Sequence, residues 1–156
     1  MSKELFAAIR NGDTPRVIQL LQDHPEWVGE KDDRGSTPLL LATYYGLEEI
    51  TEALLKLPQD LNTQDGTGNT ALMGVCFKGY ASLAQRLIDA GADVNTTNFN
   101  GSTALIFAAT FGKEDMVRLL IQNGADTKLK DDRGNTALDH ARMQGMQSVI
   151  DLLTES

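Results

Sequence analysis

The chain has 156 residues, 41% of them hydrophobic and 23% charged, the size and composition of one ordinary domain. Its formal net charge of -8 repels phosphate backbones, and its 14 Lys and Arg are dispersed along the chain, so neither nucleic acid nor an acidic membrane surface is an expected ligand. Only 6% of residues are aromatic, so the core must come from many small Leu, Ile, Val and Ala contacts, which stacked small units provide.

The opening stretch MSKELFAAIRNGD holds no apolar run long enough for a signal peptide, and nowhere do about eighteen uninterrupted apolar residues occur. A cytoplasmic chain is expected. The first unit, Glu4 to Lys31, reads as a cap with Lys3, Glu4, Arg10 and Arg16 on a wet outer surface. Its turn Asp23-His24-Pro25-Glu26 is one residue longer than the later ones, and Trp27 there is expected to lie over the first interface as a lid.

From Asp32 onward the chain repeats. Gly35, Gly68, Gly101 and Gly134 are spaced by 33 residues, and the same interval links Thr37, Thr70, Thr103 and Thr136, then Leu39, Leu72, Leu105 and Leu138, then Gly46, Gly79, Gly112 and Gly145. Thr at the start of each unit suits a helix N-cap, and Pro38 suits the first helical position, whose amide needs no internal partner. The second glycine of each unit falls where a helix must stop and the chain reverse. Next comes a second helix whose apolar stripe runs Ile50, Leu54, Leu55, then Leu83, Leu87, Ile88, then Met116, Leu120, Ile121. Such stripes are buried only against neighbouring units. Asp32, Asp65, Asn98 and Asp131 recur where a turn residue bonds its own backbone. Pro58-Gln59 interrupts the glycine pattern after one second helix, which must end without a left-handed cap and predicts a distorted turn.

The segments GSTPLLLATYYG, GNTALMGVCFKG, GSTALIFAATFG and GNTALDHARMQG, with GADVN at Gly91 to Asn95 and GADTK at Gly124 to Lys128, resemble the ankyrin repeat over nearly the whole chain. The resemblance implies an all-α solenoid of helix-turn-helix units with hairpin-like turns between them. The units run 32–64, 65–97 and 98–130, between an N-terminal cap at 1–31 and a C-terminal cap at 131–156. Two departures stand out. The family histidine is replaced by Leu40, Met73, Ile106 and Asp139, so its bonds bridging turns are missing, and the units differ at inner positions, with Gly74 where Leu41 and Phe107 stand.

No convergent catalytic group is evident. His24 precedes a proline in a turn. His140 follows Asp139 on a helix, where adjacent side chains point about 100 degrees apart and form no local dyad. Two histidines and the single Cys76, a small buried thiol by its neighbours Val75 and Phe77, are too scattered for zinc, so no metal and no cofactor is expected. The glycine strings around Gly66 and Gly35 lack the lysine and hydroxyl of a phosphate loop.

Function is instead expected where the units vary. In the family, the exposed concave surface is made by the hairpin tips and by the two inner-helix residues before the glycine turn. Carried onto this chain, the helix pairs are Tyr44 and Tyr45, Phe77 and Lys78, Thr110 and Phe111, and Met143 and Gln144, with Arg10 and Asn11 in the cap. The tips are Asp33 and Arg34, Gly66 and Thr67, Phe99 and Asn100, and Asp132 and Arg133. Five of the chain's eight Phe and Tyr residues thus fall on this surface, and aromatic residues beside Arg or Lys are common anchors of interfaces. A competing reading packs Tyr44 and Phe77 between inner helices, in the space left by the missing histidine.

The chain therefore reads as a monomeric, non-catalytic interaction module for a partner protein or peptide. The alternative is an inhibitor or immunity-type protein blocking one enzyme or toxin, and gene neighbourhood would discriminate the two. An enzyme or small-molecule binder would need a deep closed pocket, which an open solenoid is not expected to form.

Overall fold

A computed structural model describes residues 2–155. Ten α-helices follow one another, and no strand occurs among the described residues. The first pair is α1 (Lys3–Arg10) and α2 (Thr14–Asp23), followed by a short 3-10 helix, Pro25–Gly29. Then come α3 (Pro38–Tyr44) with α4 (Glu48–Leu55), α5 (Ala71–Lys78) with α6 (Ala81–Asp89), and α7 (Ala104–Thr110) with α8 (Glu114–Gln122). The last pair is α9 (Ala137–Met143) and α10 (Gln147–Glu155). Odd-numbered helices stack on one another as an inner row, even-numbered ones as an outer row, and each pair touches the next. Such a stack buries its core between units instead of around one centre.

Local chemistry sets each unit. The N-cap hydroxyls of Thr37, Thr70, Thr103 and Thr136 accept the amides of Leu40, Met73, Ile106 and Asp139 at 3.2, 3.3, 3.1 and 3.2 Å. Gly79 closes α5 at φ 82°, a left-handed conformation that a side chain would strain. In the hairpins, one side-chain oxygen of Asp32 takes the amides of Arg34 and Ser36, and Asp65, Asn98 and Asp131 repeat the pattern on Thr67 and Asn69, Asn100 and Ser102, Arg133 and Asn135. These are the backbone-bonding turn residues their spacing predicts.

The outer stripe is buried as its period requires. Ile50, Leu54, Leu83, Leu87, Met116 and Leu120 are all closed to solvent, and Leu55, Ile88 and Ile121 pack against them from the edge. Where the glycine cap is missing, the Gln59 amide donates to the Leu54 carbonyl at 2.6 Å and to that of Leu57 at 3.3 Å, so a side chain satisfies the end of α4. Trp27 is partly buried against the core and stacks on His24 at 4.0 Å, within a 3-10 helix that touches both α2 and α3.

Neighbouring units also exchange polar bonds at fixed spacing. Lys31 Nζ donates to the Gln64 carbonyl at 3.3 Å, and Gln64 Nε2 donates to the Thr97 carbonyl at 2.8 Å. Asn62 and Asn95 accept the amides of Asp93 and Asp126, each at 2.8 Å. At the ends, Asp151, Thr154 and Glu155 are exposed, and Arg16 bonds Glu4 at 2.8 Å on the outside of the first pair.

Candidate functional site

The inner helices end on one side of the solenoid and the hairpin tips flank them, so the two sets of side chains share a groove. Tyr44 and Tyr45 close α3 edge to face, ring centroids 5.4 Å apart, and both are about half exposed. One unit on, Phe77 leaves α5 and meets Phe111 at the end of α7, centroids 4.7 Å apart and planes 83° apart, the favoured edge-to-face geometry. Lys78 reaches back and sets its ammonium 4.4 Å from the Tyr44 ring centre. Thr110 is half-buried and donates to the Ile106 carbonyl at 2.7 Å, so its hydroxyl serves its own helix. Met143 and Gln144 are exposed at the end of α9.

Tyr44 and Phe77 are not buried between inner helices, although Phe77 leans on Phe111 of the next one. They are 54% and 45% exposed, because Leu40, Met73 and Ile106 themselves fill the space at the histidine position. Asp139, in the same position, bonds the Thr136 amide at 2.9 Å and completes a reciprocal cap, and the Thr136 bonds hold its carboxyl below the ordinary pKa.

The tips Asp33, Arg34, Phe99, Asn100, Asp132 and Arg133 are all exposed. Their backbones join from hairpin to hairpin: the Phe99 amide donates to the Thr67 carbonyl at 3.2 Å and the Asp132 amide to the Asn100 carbonyl at 3.0 Å. Phe99 lies so close to Gly68 that a Cβ there would stand 2.5 Å from the Phe99 nitrogen and 2.7 Å from its ring, which makes glycine obligatory. Gly66 and Thr67 are likewise exposed at the second tip.

Three charged contacts escaped the reading of the sequence. Arg10, expected on the wet surface of the cap, reaches the first hairpin and pairs with Asp32 at 3.1 Å. Asn11 beside it is exposed. In the last unit His140 Nε2 meets Asp131 Oδ2 at 2.6 Å, nine positions away in sequence. On the outer row Arg86 pairs with Glu52 at 3.0 Å, joining α6 to α4. Only the periodicity of the hairpin acid pointed to the first two.

Between α3, α5 and the first two hairpins lies a cavity of about 720 Å³, walled by Leu40, Tyr45, Met73, Phe77 and Phe107, with Arg34 and Asp65 on the hairpin side. Cys76, within α5, is fully enclosed, and burial pushes its thiol well above its ordinary pKa. No group of three or more His, Cys, Asp or Glu placed to hold a metal occurs among the described residues. No helix among them is long and apolar enough to cross a membrane. The family model described as ankyrin repeats (3 copies) matches this sequence twice, over residues 5–98 and 72–156.

Proposed function

The chain belongs to the ankyrin-repeat family, and on that footing we propose that it is a non-catalytic interaction module whose concave face binds a partner protein or peptide. Ankyrin repeats are generally protein–protein interaction modules. The observation that carries the proposal is where the large apolar side chains meet water. Seven are exposed among the described residues, and six of them, Tyr44, Tyr45, Phe77, Phe99, Phe111 and Met143, stand at hairpin tips or inner-helix ends, with only Ile18 on the outer row. Exposed apolar residues scattered singly are ordinary, whereas several gathered on one side with polar tips beside them have the anatomy of an interface. In this reading the protein works as a monomer in the cytoplasm.

The test is the triple change Tyr45→Ala, Phe99→Ala, Phe111→Ala. Anchors at a desolvated interface centre cost about 2 kcal/mol or more on truncation, so capture of a partner from the source lysate should weaken at least about 30-fold. Because the three rings are 48%, 64% and 46% exposed, the unfolding midpoint should move far less than for a buried ring. A folded triple variant that captures the same partner at wild-type strength would move the site to the outer helices.

A further inference from the structure

The inner position occupied by Leu41, Phe107 and His140 in the other units is Gly74 in α5. Glycine inside a helix is less stable than alanine there, because it loses more backbone freedom on folding, so its presence calls for a reason. Neither usual reason applies: Gly74 has no left-handed φ, and a Cβ built on it would meet nothing within 4 Å. What the missing side chain leaves is added room in the cavity of about 720 Å³ that Gly74 helps to line. That volume lies within the range of about 300–1,000 Å³ typical of ligand clefts.

The charges around the cavity are not balanced. Of its two carboxylates, Asp32 is taken by Arg10 and by backbone amides, and Asp65 Oδ1 accepts the amides of Thr67 and Asn69 and the Thr67 hydroxyl. The cations Arg34 and Lys78 have no carboxylate partner among the described residues, and Lys78 is held over Tyr44. Asp65 keeps its charge, so the lining sets three cations, Arg10, Arg34 and Lys78, against two carboxylates, a net charge of +1 on a chain whose net charge is -8.

We infer that the cavity at Gly74 lodges one large apolar side chain of an acidic linear peptide segment, with Arg34 and Lys78 taking the carboxylates that flank it. The inference rests on the concave-face reading above and names the chemistry of the partner. An extended segment fits better than a small molecule, because the cavity opens onto the Phe77 and Phe111 rings and a segment anchored in it continues over them. A side chain in the cavity supplies the apolar burial, and the two cations set direction and discriminate against basic sequences.

The experiment is selection of the full chain against a displayed library of random twelve-residue peptides, followed by affinity measurement of the enriched peptides on variants. Enriched sequences should combine a Trp, Phe, Leu or Met with neighbouring Asp or Glu. Gly74→Leu, which restores the side chain found at Leu41, should weaken them at least about tenfold, and Gly74→Ala about threefold, with no lowering of the melting midpoint in either. Arg34→Gln with Lys78→Gln should weaken them about threefold or more at low salt, and less as salt rises. The inference is overturned if nothing is enriched, if the enriched peptides are basic or uncharged, or if they bind both folded Gly74 variants as tightly as the wild type. Peptides indifferent to Gly74 but lost in the Tyr45, Phe99 and Phe111 triple variant would remove the cavity and leave the concave face standing. Peptides indifferent to both would remove both.

Discussion

His140 Nε2 lies 2.6 Å from Asp131 Oδ2 and ties the middle of α9 to the hairpin that precedes it. Burial by itself raises the pKa of the Asp131 carboxyl. The hydrogen bond from His140, the amides of Asn135 and Arg133 and the charge on His140 outweigh burial and leave the group below its ordinary value.

The sign of the pH dependence follows. A carboxyl held below its unfolded pKa stabilises the fold while it is ionised, above about pH 4, and that contribution disappears as pH falls through the lower folded value. Asp139 is lowered in the same direction by the Thr136 amide and hydroxyl. The double variant Asp131→Asn, Asp139→Asn should be less stable than wild type at neutral pH and lose less on acidification. Thermal midpoints between about pH 5 and about pH 2.5 check this, and parallel acid limbs in the two proteins would contradict it.

Thr51 in α4 is closed to solvent and its hydroxyl has no partner among the described residues. The same position in the next two units holds Ala84 and Val117, both fully buried. Thr51→Val keeps the shape and removes an orphaned polar atom, so it should stabilise by about 1 kcal/mol. For a chain of this size that is a rise of about 2–4 °C in Tm, read by calorimetry. An unchanged or lower Tm would mean the hydroxyl is not orphaned.

The last unit covers the apolar face of the one before it, since α9 packs on α7 and α10 on α8. Ending the chain before Asn135 should uncover Met116, Leu120 and Ile121, the first two of which are sealed in the full chain. Aggregation or a lowered midpoint is expected, read by light scattering and thermal unfolding. A truncated chain as soluble and heat-resistant as the parent would show that α9 and α10 are not a cap.

The legible parts of this molecule are those whose cause is local. Thr70 caps α5, Asp65 folds its own turn and Gly79 ends a helix through atoms only a few residues away, so a 33-residue period in the sequence becomes a period in the structure. That Tyr45, Phe99 and Phe111 reach solvent was also legible, because it is fixed by register. What escaped depends on distant partners. Arg10 looked like solvent-facing charge until the first hairpin came beside it, and Gln59 looked like a defect until its amide turned back onto Leu54. Gly74 registered in sequence only as variation between units; the cavity exists because α3, α5, α7 and two hairpins come together around it, and no spacing rule encodes that.

Phe99 is 64% exposed, yet its backbone and one edge of its ring lie directly on Gly68 of the preceding hairpin. Exposure and freedom are therefore separate properties here. An exposed side chain ordinarily surrenders rotamer entropy when a surface closes over it, about 0.5–1.5 kcal/mol for a mobile one. The contact with Gly68 takes part of that entropy from the Phe99 ring when the hairpins stack, so a surface closing over it has less left to restrict.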